Sequence, residues 1–542
     1  MQYDYIIVGA GSAGCVLADR LSADPAIKVC LIEAGKPDRS TFIHVPAGIA
    51  VILPTRHVNW AFLTEPQPGL NNRRGYQPRG KTLGGSSSIN AMIYMRGHRS
   101  DYDHWAALGN DGWSYSEVLP YFKRSENQER GEDEFHGVGG PLNVADLRSP
   151  NLIDEAFLKA AEQAGYSRNL DFNGARQEGV GLYQVTQKNG ERWSAAQAFL
   201  TPALGRPNLT VITEARATRI LLERKRAVGI VYRGRDGSAE IKAGKEVILS
   251  AGALQSPQLL MLSGIGPREA LAKHGIPILH SLPGVGNNLQ DHIDYVTCYR
   301  SKSKDLFGLS FIGGLRMLKA IGEYRKHRTG MLTSNYAEAG GFLKSDPGSA
   351  APDFQLHFVT GIVDNHARKL HLGHGYSCHV CLLRPKSRGC VGLRSVDPLA
   401  APLIDPNFFG EEEDLDGMVH GFKLMREIME APALTAYRGR DIHTGAIRTD
   451  KDIRNIIRQR ADTVYHPVGT CKMGGDEMAV VDSALRIHGL EGLRVVDASV
   501  MPTIVGGNTN APVIMIAEKT ADMILGRSPP ARHVDTQRKL SG

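Results

Sequence analysis

An apolar strand that runs into a glycine turn and then a helix is the feature that most restricts this chain. Tyr5-Ile6-Ile7-Val8 is a short β-branched run; it ends at Gly9-Ala10-Gly11-Ser12-Ala13-Gly14, and Cys15 to Leu21 can continue as a helix. In such a unit Gly9 allows the tight turn, Gly11 lets the backbone approach a pyrophosphate, and Gly14 lets helix pack closely on strand. The helix N-terminus, beginning near Ser12, then faces the phosphate charge. Val29-Cys30-Leu31-Ile32 reads as a second parallel strand ending at Glu33, about 20 residues beyond the last glycine, where a carboxylate suits ribose hydroxyls. The unit predicts an α/β sheet of Rossmann type with a dinucleotide at its edge. It leaves NAD and FAD open, because both present an ADP half.

The chain is long enough to build more around that unit. Its 542 residues allow two large domains or three to four ordinary ones. Hydrophobic residues at 42% and charged residues at 22% are ordinary globular values, and 60 glycines are too many for a compact helical bundle. A net charge of +7 is dilute and no run of five or six basic residues occurs, so no nucleic-acid surface is expected, although a local basic patch can meet anionic lipid. Seven scattered cysteines point to free thiols in a reducing compartment. The N-terminus enters the first strand with no signal-peptide pattern, and no stretch approaches the ~18 apolar residues that span a bilayer, so any membrane association is expected to be peripheral.

Gly80-Lys81-Thr82-Leu83-Gly84-Gly85-Ser86-Ser87-Ser88-Ile89-Asn90 is a second loop of small donors that can wrap an anion. Residues 80–97 resemble the first signature of the glucose-methanol-choline (GMC) flavoprotein oxidoreductases, and residues 252–266 resemble the second. The likeness continues through residues 285–292, 465–474, 494–499 and 507–512, nearly the whole chain. It implies FAD rather than NAD, in an α/β fold: a Rossmann-type FAD-binding domain assembled from residues 1–150, 195–300 and 460–528, and an α+β substrate domain with an antiparallel sheet from 151–194 and 301–459. Residues 529–542 are left as a C-terminal tail. By motif position the resemblance places Glu33 on the adenosine ribose, Leu83, Gly84, Gly85, Ser86 and Ser87 along the pyrophosphate and flavin side, and Asn90, Ala91 and Met92 near the isoalloxazine. Asp497 and Ala498 match a late cofactor-contacting segment. Some members tether flavin through a His directly before the Asn of this loop; that position is Ile89 here, so the FAD is expected to be non-covalent.

Alcohol oxidation needs a base for the hydroxyl proton, a hydride acceptor and a polar group on the oxygen. The resemblance puts His466 at the base, and the following Pro467 biases it toward extended backbone. Asn510 is preferred as the second catalytic group, with Asn508 its main competitor, one of the two facing substrate and the other shaping backbone; His292 is given a structural role near the domain junction. Cys378-His379-Val380-Cys381 mimics half a metal site, but on a strand positions three apart point to opposite faces, so no metal is expected.

Trp60-Ala61-Phe62, residues 179–187, Thr333-Ser334-Asn335 with Glu338, and residues 385–389 resemble the bacterial alkanol dehydrogenase branch, near choline and polyethylene glycol dehydrogenases. That likeness implies oxidation of primary aliphatic, medium- to long-chain alcohols to aldehydes. The electrons would pass to a quinone or artificial acceptor, on the cytoplasmic side of the inner membrane. The alternatives are a choline or polyethylene glycol dehydrogenase and an alcohol oxidase producing hydrogen peroxide. Residues 306–332 fit either a peripheral membrane contact or a helix packed on its own domain: Phe311, Leu315, Leu318 and Gly322 share one helical face, with Arg325, Lys326 and Arg328 close by.

Overall fold

A computed structural model describes residues 2–532; the last ten residues of the expected tail lie outside the described residues. Two seven-stranded sheets organise the chain. In the first, Leu209–Ile212, Val29–Ile32, Gln2–Val8 and Gly237–Leu249 lie side by side in parallel, with Leu493–Val495 joining the last of these, also in parallel. Tyr5 pairs with Val29 and Val8 with Ile32, so the glycine turn and Glu33 emerge at one edge. Strands covered on both faces need no polar alternation; Ile6, Ile7, Val29, Leu31, Val247 and Ile248 are fully buried. The helix Ser12–Ser22 packs against the strands and against the C-terminal helix Asn510–Leu525. Gly9 and Gly14 make this packing possible. Gly9 sits at φ +102°, and a Cβ there would lie 2.5 Å from the Ser250 carbonyl oxygen; one on Gly14 would lie 1.9 Å from the Gly9 carbonyl oxygen.

The second sheet is antiparallel throughout, in the order Asp462–Thr463, Ile293–Ser301, Gly373–Leu382, Phe354–Val359, Ala337–Leu343, Gly179–Leu182, with Gly308–Leu309 on the edge of Gly373–Leu382. Nearly all of Ile293–Ser301 and the whole of Asp462–Thr463 fall inside the segments expected for the flavin domain, yet both belong to this sheet, because the chain enters it before the expected boundary at 300 and leaves it after the one at 460. Helices Leu152–Gln163 and Glu412–Glu430 cover one face. Alternation sorts the strands: Phe354, Leu356 and Phe358 join the helix-side core, while Gln355, His357 and Val359 point the other way. Cys378 and Cys381 divide likewise, one in the helix-side core and one in a small cluster on the opposite face.

Residues 311–327 form the expected helix, with the Ser310 hydroxyl accepting from the Gly313 N–H at its start and Arg325, Lys326 and His327 in its last turn, where cations suit the helix dipole. Only Ala320 and Tyr324 are buried. Phe311 is 83% exposed and Leu318 68%, so the apolar face does not pack on its own domain. Among the described residues no helix is long and apolar enough to cross a membrane.

Candidate active site

A cavity of about 630 Å³ runs from the glycine turn of the first sheet to the open face of the second. At one end it is walled by Gly9, Gly11, Ser12, Glu33, Gly85 and Ser86, and further along by Asn90, Ala91, Met92, Asp497 and Ala498. Glu33 is buried, and its two oxygens accept from Ala10 N–H at 2.9 Å and Gly35 N–H at 2.7 Å. Burial outweighs these bonds and pushes its carboxyl up to about 7. Asp497 is held by the Gly252 N–H and the Ser256 hydroxyl, and burial raises it too.

Four residues expected on the cofactor side do not line the cavity. Gly14 packs helix on strand. Leu83 is absorbed in the core, Gly84 donates its N–H to the Ala10 carbonyl, and the Ser87 hydroxyl turns inward to bond the Gly84 carbonyl at 2.6 Å. These groups shape the loop, while Gly85 and Ser86 present it. Arg192, which the sequence reading missed, fixes the same loop: it is 1% exposed and donates to the Ser87 carbonyl and to both oxygens of Asn90. Burial lowers its guanidinium to about 9.

At the far end stands His466, and its surroundings fix its tautomer. His292 Nε2 lies 3.1 Å from the Leu383 carbonyl oxygen, which can only accept, so that nitrogen carries the hydrogen. Burial holds His292 down to about 3, so the ring is neutral and its Nδ1 is an acceptor. His466 therefore donates its Nδ1–H to His292 Nδ1, at 2.9 Å. Burial, with smaller contributions from His292 and His357, keeps His466 itself well below its ordinary range, so its Nε2 carries a lone pair. That nitrogen lies 3.2 Å from Asn508 Nδ2, whose amide is oriented by Gln355 Nε2 donating to its Oδ1 at 3.0 Å.

The geometry separates the two asparagines. Asn510 Oδ1 accepts from the Ser12 hydroxyl at 2.7 Å, back at the glycine turn, while Asn508 stands beside His466. The reason is local: Asn510 opens the C-terminal helix, which packs against Ser12–Ser22, and Asn508 is still in the loop before it. His292 likewise stands directly behind His466.

The backbone here is held in costly conformations. Tyr465 has φ 77° and Met92 φ 59°, each worth about 1–3 kcal/mol for a residue with a side chain. Arg79 holds the Tyr465 carbonyl at 2.7 Å, His366 holds its hydroxyl at 2.6 Å, and Asp291 Oδ1 accepts the His466 N–H at 2.8 Å. Several buried polar atoms along the cavity wall have no partner among the described residues: both ring nitrogens of His357, Asn335 Oδ1 and Ser250 Oγ. Groups left so are ready to meet a bound molecule. Glu33 and Asp497 are the only carboxylates lining the cavity among the described residues. Glu338 turns away: it accepts from the Ser334 hydroxyl and from the Asn151 N–H.

A Rossmann-type turn, a small-residue loop and a buried neutral histidine in one elongated cavity define the site of a dinucleotide-dependent oxidoreductase. Residues 3–294 and 385–517 match the N- and C-terminal family profiles described as GMC oxidoreductase, and the chain belongs to that family. It is 50% identical over 528 residues to an alcohol dehydrogenase (acceptor) of Pseudomonas putida, covering 97% of this chain and 96% of that one. It is 45% identical over 536 residues to the mitochondrial choline dehydrogenase of Homo sapiens, covering 97% and 90%. Among solved structures, a formate oxidase of Aspergillus oryzae studied for modification of its FAD superposes with a TM-score of 0.90 at 28% identity, over 97% of this chain and 98% of that one. The protein is an FAD-dependent oxidoreductase acting on CH–OH donors.

Proposed function

We propose that the chain oxidises neutral primary aliphatic alcohols of medium to long chain to aldehydes and passes the electrons to a quinone rather than to oxygen. FAD would be held by the Gly9–Gly14 turn, Ser12, Glu33, Gly85, Ser86, Asn90, Ala91, Met92, Asp497 and Ala498, and the unpartnered Ser250 hydroxyl on the same wall fits such an occupant. When bound, FAD supplies the acceptor for the hydride of the alcohol's α-carbon. The residues of the chain handle the proton and the oxygen. His466 Nε2 takes the hydroxyl proton, and the Asn508 amide, beside it at 3.2 Å, donates to the oxygen as negative charge develops. His357, buried with both nitrogens open, offers one further donor and one acceptor to the bound alcohol.

The observation that carries the substrate class is the lining. Near His466 the wall includes Ile93, Phe307, Ala337, Val359 and Val464, and among the described residues no carboxylate faces the cavity there. A quaternary ammonium would be left without a counter-charge, whereas an alkyl chain gains roughly 0.8 kcal/mol per buried methylene. Anaerobic bleaching of the flavin tests this. Linear primary alkanols should bleach it with affinity rising along the series, and choline should not; bleaching by choline in preference to alkanols would overturn the reading. Reoxidation faster with a soluble quinone than with air-saturated buffer is expected, and the reverse would favour an oxidase.

Access for such partners supports a peripheral membrane contact through residues 306–332. Phe311, Leu315 and Leu318 are exposed, as are Leu370 and Leu372; Leu309, just before the helix, bridges to Leu372, and Leu309 and Leu370 also wall the cavity. Lys319, Arg325 and Lys326 are exposed nearby, where anionic headgroups would meet them. The holoenzyme should co-sediment with anionic liposomes, less so at high salt. Replacing Phe311, Leu315 and Leu318 by Ser should weaken binding while flavin content is retained; undiminished sedimentation would refute the contact.

A further inference from the structure

Behind the cavity mouth, one buried carboxylate collects an unusual number of nitrogens. The Asp364 side chain is 1% exposed. Arg460 Nη2 holds its Oδ1 at 2.5 Å. Its Oδ2 faces two imidazoles through the same ring position, His371 Nε2 at 2.8 Å and His443 Nε2 at 3.1 Å. The groups come from distant places in the chain: a loop after Phe354–Val359, a turn near residue 443 and the helix Asp450–Arg460. His443 is preset by that turn, since Asp441 Oδ1 accepts the N–H groups of His443 and Thr444.

The three facing atoms lie within 4.8 Å of one another. In tetrahedral zinc sites, with nitrogen and oxygen ligands at about 2.0–2.2 Å, ligand atoms stand roughly 3.3–3.5 Å apart. The two contacts to Oδ2 are slightly shorter than that, so a small outward movement of each ring opens room for an ion. Two imidazoles and one carboxylate oxygen, with a fourth position left to water, form a donor set for a first-row transition ion rather than for magnesium or calcium, which prefer oxygen cages. Arg460 takes the oxygen turned away from the rings, as outer partners of ligating carboxylates do. Lys369 Nζ is 3.6 Å from Oδ2, but its side chain is 57% exposed and free to swing into water.

The loop these residues anchor is strained. Asn365, His366 and Ala367 take φ values of 49°, 57° and 60° in succession, conformations that persist only when surrounding contacts over-determine them. One end is tied at Asp364, and His366 ties the loop to Asp462 at 2.9 Å and to Tyr465 at 2.6 Å. Beyond it the chain places Lys369, Leu370 and His371 in the wall of the alcohol cavity.

We infer that Asp364, His371 and His443 form a site for one first-row divalent cation, zinc in the first instance, which clamps residues 364–372 at the mouth of the cavity. The ion's role is structural, and no electron passes through it.

The test uses full-length, flavin-loaded enzyme without a polyhistidine tag, stripped with chelator and dialysed against zinc. Elemental analysis should return one zinc per chain, and competition with a chromophoric chelator should give a dissociation constant of about micromolar or tighter. His371→Ala and His443→Ala should each weaken binding by at least about tenfold, with flavin content retained. Zinc should slow amide exchange across residues 364–372 in the wild type and not in either variant. Asp364→Asn removes a buried ion-pair centre and can fail to fold, so the two less buried histidines carry the test. Less than one zinc per chain at about 100 µM free metal, or undiminished binding in the double histidine variant, would overturn the inference.

Discussion

His292→Leu tests the tautomer argument at its weakest-looking point, a residue that never meets the substrate. In the wild type, the Leu383 carbonyl fixes the hydrogen on His292 Nε2, which makes His292 Nδ1 the acceptor for His466 Nδ1–H at 2.9 Å. Leucine leaves that N–H buried without a partner, at a cost of about 1–3 kcal/mol. His466 can escape the cost by moving its hydrogen to Nε2, which abolishes the base. At about 1.4 kcal/mol per decade, the limiting rate of flavin reduction should fall roughly 5- to 150-fold. His292→Gln can return an amide oxygen to the same place and should lose less than about fivefold. The assay is anaerobic stopped-flow reduction at saturating alkanol, normalised to bound FAD. The fall should lie in the limiting rate and not in the alcohol dissociation constant, because His292 positions the base and does not touch substrate. A His292→Leu enzyme reducing within twofold of wild type refutes the reasoning, and equal losses in the Leu and Gln variants would assign the effect to packing.

Three further outcomes are expected. Asn508→Ala should slow flavin reduction by about 10- to 1000-fold with flavin retained, as loss of an oxyanion donor does, whereas Asn510→Ala, which breaks the bond to Ser12, should act mainly on FAD affinity; cofactor content and reduction rate measured together separate the two. Because burial depresses His466, the unprotonated base persists as pH falls, so the limiting reduction rate should show no acid limb between about pH 8 and 6.5, the ordinary histidine value; a clear sigmoid in that window would contradict the neutral ring. Acid precipitation should release all yellow flavin into the supernatant as FAD, since Ile89 on the cavity wall offers no atom for a covalent link; flavin in the pellet would contradict this.

Local signals carried most of what the sequence revealed. The glycine turn and Glu33 are legible because strand, turn and acid lie within about 30 residues and each has one physical reason to be there. The place of His466 on the cavity wall is legible through its motif. What could not be read depends on partners far away in the chain. His292 gains its meaning from a ring 174 residues distant, and the Asp364 group from residues 79 and 96 positions later. Asn508 and Asn510 differ only in which side of a loop-to-helix junction each occupies, and junctions are the least readable feature of a sequence. Leu83, Gly84 and Ser87 belong to the right loop but face its interior, which a motif of small residues does not distinguish from the facing side. The sheet crossings at Ile293–Ser301 and Asp462–Thr463 are not readable locally, because which sheet a strand joins is set by pairing partners far along the chain.

The central claim is that the Nε2 lone pair of His466 takes the hydroxyl proton of a neutral alcohol. The rate of anaerobic flavin reduction by a saturating primary alkanol in His466→Ala, measured on enzyme with its full complement of FAD, tests it most directly. The account predicts a loss of about 10²–10⁴-fold, the usual contribution of a general base. A flavin-loaded His466→Ala enzyme that reduces at close to the wild-type rate would contradict it.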